Sequence, residues 1–218
     1  MATQTERKAD TDETCGRCHW RKSVCLCHEA PELTPRLHLL LLTHEREFTK
    51  LSNTGRLLEA SLPHCQIETW QRKTSGPALI EAAKAKGQQP VLLFPLDDLA
   101  GDTLETLETL DQEDLLSSPR GLEHYLFILL DGTWQQARKM VRSSSELQSL
   151  PRLGLSSDSP SCYDLRKNQQ PGNLSTVETG ITLLQSLGFD SSALALDEYF
   201  QRFLQHYEAQ RSNHSCIS

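Results

Sequence analysis

Apolar residues along this chain fall into short blocks, each followed by a helical pattern. Leu37 to Leu42 is apolar but for His38, and Tyr125-Leu126-Phe127-Ile128-Leu129-Leu130 is apolar nearly throughout. Blocks of that length without polar alternation predict strands covered on both faces. Val91 to Phe94 predicts another, whereas Cys65 to Trp70 alternates and predicts a strand with one wet face. Ser52-Asn53 caps a predicted helix through Gly55 to Ala60. Thr74 or Ser75 caps a second, from Pro77 to Lys86, with Gly87 as its stop. A third helix runs from 134 to about 144. Ser175-Thr176-Val177-Glu178 is a capping box for a fourth, ending at Gly188. Leu196, Phe200, Phe203, Leu204 and Tyr207 recur at three- and four-residue steps, as a helix does when one face packs on a core. Tyr163 to Arg166 is a further short strand candidate. Alternating strands and helices predict an α/β fold, a mostly parallel sheet with flanking helices.

The ends differ from this pattern. Residues 1–13 are polar, mixed in charge and aperiodic, and are expected to be disordered and not a secretory signal. Residues 14–30 hold Cys15-x2-Cys18-x6-Cys25-x-Cys27. Glu29 to Pro35, with two prolines, reads as a linker, and the main domain is expected over 36–210. No apolar run is long enough to span a bilayer. Without an export signal, the seven cysteines are expected as thiols or metal ligands in a reducing compartment, and the protein is expected to be cytoplasmic. Four thiols so close together suit a closed tetrahedral zinc site of structural type, with His19 and His28 as alternatives for one ligand.

The net charge of −7 argues at first against nucleic acid. Eight acids, however, lie between Asp97 and Asp114 with no Lys or Arg among them. Segments 15–56 and 131–167 each carry more basic than acidic residues. A locally basic face stays open, and RNA contact depends on the local field.

The most informative stretch is Asp131-Gly132-Thr133-Trp134, which places a carboxylate, a hydroxyl and an indole on a strand-to-helix turn. In α/β proteins such turns, at the carboxyl edge of the sheet, are where ligands meet the chain. The same turn also suits a simple helix cap with Trp134 filling core. Leu93-Phe94-Pro95 leaves a strand where a cofactor loop would. Arg166-Lys167 precedes the helix N-terminus at Ser175-Thr176, two anion-attracting features that suit a carboxylate or phosphate. There is no Walker loop, Gly-x-Gly-x-x-Gly, His-Glu-x-x-His or Gly-x-Ser-x-Gly. That argues against the commonest triphosphate, dinucleotide, zinc-hydrolase and serine-hydrolase chemistries.

In this order, several motifs resemble the DTW-domain family of tRNA-uridine aminocarboxypropyltransferases. They are the cysteine cluster, Ser52-Asn53-Thr54-Gly55-Arg56, Leu93-Phe94-Pro95, Asp131-x-Thr133-Trp134-x-x-Ala137-Arg138-Lys139-Met140, and Leu165-Arg166-Lys167 with Leu174-Ser175-Thr176-x-Glu178. In one departure, Asn168-Gln169-Gln170 intervenes before Pro171 where the family commonly has Pro soon after the Lys.

The resemblance implies a SPOUT-like domain with a trefoil knot and an N-terminal zinc knuckle. It implies transfer of the 3-amino-3-carboxypropyl group from S-adenosylmethionine to N3 of a tRNA uridine, by preference in the variable loop. Asp131, Thr133 and Trp134 are the implied catalytic residues, with Asp131 orienting or deprotonating the imide. Leu93, Phe94, Pro95, Arg166, Ser175 and Thr176 are implied for S-adenosylmethionine. Cys15, Cys18, Cys25 and Cys27 are implied for structural Zn2+, and Arg56, Arg138, Lys139 and Lys167 for tRNA. A monomer and a homodimer both fit. The rival readings are a SPOUT-type RNA methyltransferase and a non-catalytic zinc-knuckle RNA-binding protein.

Overall fold

A computed structural model describes residues 13–95, 109–155 and 174–211. Six strands form one sheet in the order β2-β1-β5-β3-β6-β4, and every neighbouring pair is parallel. The strands are β1 (His38–Thr43), β2 (Cys65–Thr69), β3 (Gln89–Leu93), β4 (Thr109–Leu110), β5 (Tyr125–Asp131) and β6 (Arg152–Leu153). β1 and β5 are the apolar blocks of the sequence and occupy interior positions, where a parallel strand is covered on both faces. β2, the alternating segment, takes the edge and exposes Gln66 and Glu68.

Because side chains alternate across a strand, the apolar residues divide between two layers. Leu39, Leu41, Phe127 and Leu129 face one layer, built by α1 (Gly55–Ser61), α6 (Thr176–Ser186) and α7 (Asp190–Arg211). Leu40, Leu42, Leu92, Ile128 and Leu130 face the other, built by α2 (Ser75–Ala85), α4 (Trp134–Arg142) and α5 (Ser145–Gln148). A short α3 (Gln112–Leu116) adds Leu115 to the first layer. Among the described residues no helix is long and apolar enough to cross a membrane.

The long predicted elements hold, with shifted ends. The last helix begins at Asp190, before its first strongly apolar step, and the second begins at Ser75, before Pro77. Both short strands β4 and β6 lack a periodic signal. The predicted strand Tyr163 to Arg166 lies outside the described residues, as does the chain path between β6 and α6 on which a trefoil knot would depend. The disordered N-terminus expected over 1–13 falls almost wholly outside them too.

α1 and α6 pack closely in the first layer. A Cβ built on Gly180 would overlap Leu58 Cδ2, and Leu58 is fully enclosed. Gly180→Ala is therefore expected to lose about 1–2 kcal/mol, overpacking outweighing the gain in helix propensity. Urea unfolding of the variant checks this; equal or greater stability would mean that the two helices can move apart.

Candidate active site

The chain passes from β1 to β2 on one side of the sheet and returns to β3 and β5 on the other. The strand order thus reverses beside β1 and β5, whose carboxyl ends are Thr43 and Asp131, paired in register. Such a reversal opens the crevice where α/β proteins bind ligands.

The Asp131 to Trp134 turn divides its residues between the two layers. Asp131 is 1% exposed and points toward α1 and α6. Its Oδ1 accepts from the Thr176 hydroxyl at 2.7 Å. Its Oδ2 accepts from Asn53 Nδ2 at 2.8 Å and from the Thr43 hydroxyl at 3.2 Å. A Cβ on Gly55 would lie 3.0 Å from the Asp131 carboxyl carbon, so the first turn of α1 rests directly on the carboxylate. Asp131 therefore ties β1, β5 and the starts of α1 and α6 together. The helix N-termini favour a negative charge there.

Thr133 caps α4. Its hydroxyl accepts from Gln136 N at 3.2 Å, and Gln136 Oε1 accepts from Thr133 N at 2.7 Å. Trp134 is half-buried on the opposite layer from the Asp131 carboxylate, 6.0 Å from the Phe94 ring, with the rings tilted at 53°. Of the predicted cofactor residues after β3, Leu93 and Phe94 are buried in opposite layers and Pro95 is half-buried. Phe94 thus joins Trp134, and Leu93 does not. Ser175 caps α6, accepting from Glu178 N, while Thr176 holds Asp131. Arg166 and Lys167 lie outside the described residues. Arg138 and Lys139 lie on α4, with Lys139 exposed.

Arg56 is placed in the interior, 9% exposed. Its guanidinium donates to the carbonyls of Cys18 (2.6 Å) and Phe48. Its backbone N–H donates to Asn53 Oδ1 at 3.3 Å. The expected tRNA cation is an internal clamp between the cysteine cluster and the residue that holds Asp131.

Three residues at this edge were not singled out from the sequence. His44 and Trp70, which directly follow β1 and β2, stack at 6.1 Å and 22°. His44 Nδ1 lies 3.4 Å from Gln136 Nε2. Arg152, in β6, carries its guanidinium carbon 5.8 Å from the centre of the Phe94 ring. The signal available for the first two was their position one residue past a strand. Arg152 had none, because its strand is two residues long.

The four cysteines converge. Their Sγ atoms all lie within 4.8 Å of one another, with Cys18–Cys25 at 3.5 Å and Cys15–Cys27 at 4.0 Å. A tetrahedral zinc with bonds of about 2.3 Å spaces its sulfurs about 3.8 Å apart, so the set fits that ion. Backbone N–H groups of Cys18 and Arg17 lower the Cys15 thiol to about 6, as suits a ligand in its thiolate form. Burial pushes Cys18 up to about 11 and raises Cys27 as well. A divalent cation offsets that cost for the buried thiolates. His19 takes the left-handed conformation, φ 61°, in the turn after Cys18, and His19 and His28 are both exposed, outside the four-sulfur set.

The cluster is docked firmly. Trp20 is buried 5.3 Å from Phe203 and 6.2 Å from Tyr207 of α7, and its indole N–H donates to Leu51 O at 3.0 Å. The Tyr199 hydroxyl donates to Leu26 O at 3.1 Å, and Arg17 pairs with Glu59 at 2.9 Å.

Residues 12–208 match the model of the DTW domain. The chain is 30% identical over 185 residues to a Mus musculus protein named tRNA-uridine aminocarboxypropyltransferase 2, covering 82% of this chain and 58% of that protein. A Macaca fascicularis protein of the same name is 30% identical over 181 residues, 79% of this chain and 56% of that one. Another from Drosophila melanogaster is 26% identical over 178 residues, 79% of this chain and 66% of that one. The chain thus spans roughly three fifths of the length of these curated relatives. No solved structure matches it.

Proposed function

The chain belongs to the DTW-domain family, and on that premise we propose that it transfers the 3-amino-3-carboxypropyl group of S-adenosylmethionine to N3 of a uridine in tRNA. The carrying observation is the family match over 12–208, which takes in both the cysteine cluster and the Asp131 to Trp134 turn. The activity named for the relatives supports the same reaction class.

In this reaction the uracil N3 forms a bond to the γ-carbon of the donor while the γ-carbon–sulfur bond breaks. The electron pair stays on sulfur, the sulfonium becomes a neutral thioether, and 5′-methylthioadenosine leaves. The imide proton goes to a base. Sulfur carries its own activation, so the protein's task is to present one of three carbons in line with the nitrogen.

Trp134, half-buried at the carboxyl edge and backed by the buried Phe94, offers an aromatic face for uracil or adenine, as unpaired RNA bases are commonly held. Asp131 takes the orienting role. Both its oxygens accept from the protein, and the hydrogen bonds from Thr43, Asn53 and Thr176 hold the carboxylate in one orientation. Arg138, Lys139 and Lys167 contact tRNA phosphates, and Arg166 serves the donor. Cys15, Cys18, Cys25 and Cys27 would hold zinc, which as a four-thiolate site would supply structural cross-linking.

Incubation with tRNA and S-adenosylmethionine, followed by mass spectrometry of the nucleosides, tests the proposal. Expected are an aminocarboxypropyl-uridine and released methylthioadenosine. Release of S-adenosylhomocysteine with a methylated base would assign the protein to the methyltransferases instead.

A further inference from the structure

Arg152 presents a cost that the fold alone does not repay. It sits on β6 in register with Leu92 of β3, which is itself in register with Ile128 of β5. On that side of the row its neighbours Leu92 and Ile128 are apolar and fully enclosed, and on the other side it is in register with the exposed Thr109 of β4. Arg152 is 1% exposed, yet its Nε and Nη1 have no hydrogen-bond partner. Among the described residues no acid pairs with it. Burial alone acts on its titration, drawing it below the usual guanidinium range. A guanidinium stays charged at neutral pH even so. Buried charges are normally paired, because an unpaired one loses its hydration without compensation. The Phe94 ring at 5.8 Å is a partial partner and satisfies no N–H.

The surroundings say what would complete it. Phe94 links Arg152 to Trp134, at the carboxyl edge where the Asp131 to Trp134 turn opens. An enclosed cation with two free donors suits a small anion that enters the crevice. It does not suit a backbone phosphate of tRNA, which needs cations on an open surface. In the transfer reaction the small anionic group is the α-carboxylate of the migrating aminocarboxypropyl chain. We propose that Arg152 is the subsite for that carboxylate, a binding residue that fixes the chain so that its γ-carbon is the one presented for attack. The proposal rests on the transfer reading above. Methylthioadenosine lacks the carboxylate, so Arg152 distinguishes the donor from the spent nucleoside and gives that product no hold.

Binding of three compounds to the full chain, by calorimetry, tests this. They are S-adenosylmethionine, its decarboxylated form, which differs by the carboxylate alone, and methylthioadenosine. The wild type is expected to prefer S-adenosylmethionine over the decarboxylated form by about 10- to 100-fold, the range for hydrogen bonds to a charged group. Arg152→Gln is expected to bind the two alike and to keep its affinity for methylthioadenosine. Arg152→Lys is expected to retain part of the preference. A wild type without the preference, or an Arg152→Gln protein that keeps it, would overturn the proposal while leaving the transfer reading intact. A wild type that binds none of the three would remove both. If Arg152→Gln fails to fold, the wild-type preference and the Lys variant decide.

Discussion

Asp131→Asn is expected to lose stability and transfer together, by about 1–3 kcal/mol and by at least ~100-fold in rate. Among the described residues the carboxylate accepts from Thr43, Asn53 and Thr176. An amide in its place turns a donor toward at least one of these donors, at a position only 1% exposed. The loss of rate follows because the starts of α1 and α6 shift when their shared anchor weakens. Exchanging the pair, Asn53→Asp with Asp131→Asn, separates the two effects. The bond between positions 53 and 131 is then restored with reversed polarity. Thr43 turns its proton to Leu41 O, which lies 3.4 Å away, and accepts instead. If stability and transfer both return in the exchanged protein, Asp131 orients and its charge is dispensable. If stability returns and transfer does not, the carboxylate at 131 is the proton acceptor. Chemical denaturation and nucleoside mass spectrometry on the three proteins read both quantities.

Metal removal is expected to produce the largest loss of stability. Without a cation, the buried thiols of Cys18 and Cys27 revert to their protonated forms, and only weak S–H···S contacts such as Cys18–Cys25 and Cys15–Cys27 link the sulfurs. The turn that carries Trp20 then loses its frame. Separating Trp20 from Phe203 and Tyr207 alone costs about 3–5 kcal/mol, the range for deleting a buried Trp or Phe. Arg56 loses the Cys18 carbonyl at the same time, so the disturbance reaches Asn53 and the anchor of Asp131. Chelated protein and Cys27→Ser are both expected to melt at a lower temperature, with Trp fluorescence shifted to the red. A preparation shown to be metal-free by elemental analysis that melts as the untreated protein does would refute a structural metal.

The sheet was legible where burial on both faces suppresses polar residues, at β1, β3 and β5. Capping chemistry made the start of α6 legible, because Ser175 and Glu178 satisfy backbone groups at a fixed spacing. The cysteine cluster was legible for a similar reason: metal ligation requires particular atoms at short range. The orientation of Asp131 was not. The turn gave its position on the chain, but strand parity together with the packing of α1 and α6 decided which layer it enters. Arg56 was expected, from the family resemblance, to contact tRNA. Only the tertiary approach of the Cys18 and Phe48 carbonyls turns it inward. Arg152 stands in a two-residue strand whose existence depends on β3 and β4, so no local pattern announces it.

The docking of the cysteine cluster on α7 also bears on the order in which the molecule assembles. Trp20 meets Phe203 and Tyr207, and Leu26 meets Tyr199, so the first described segment closes on the last. Contacts this remote in sequence are the slowest to form, because the intervening chain must be gathered first. On a ribosome the cluster emerges early, with its docking face uncovered. That face stays uncovered until α7, which carries Tyr199, Phe203 and Tyr207, has been synthesised. The seam between cluster and helix is therefore the last to close during synthesis, and a chain cut short within α7 leaves the indole of Trp20 exposed.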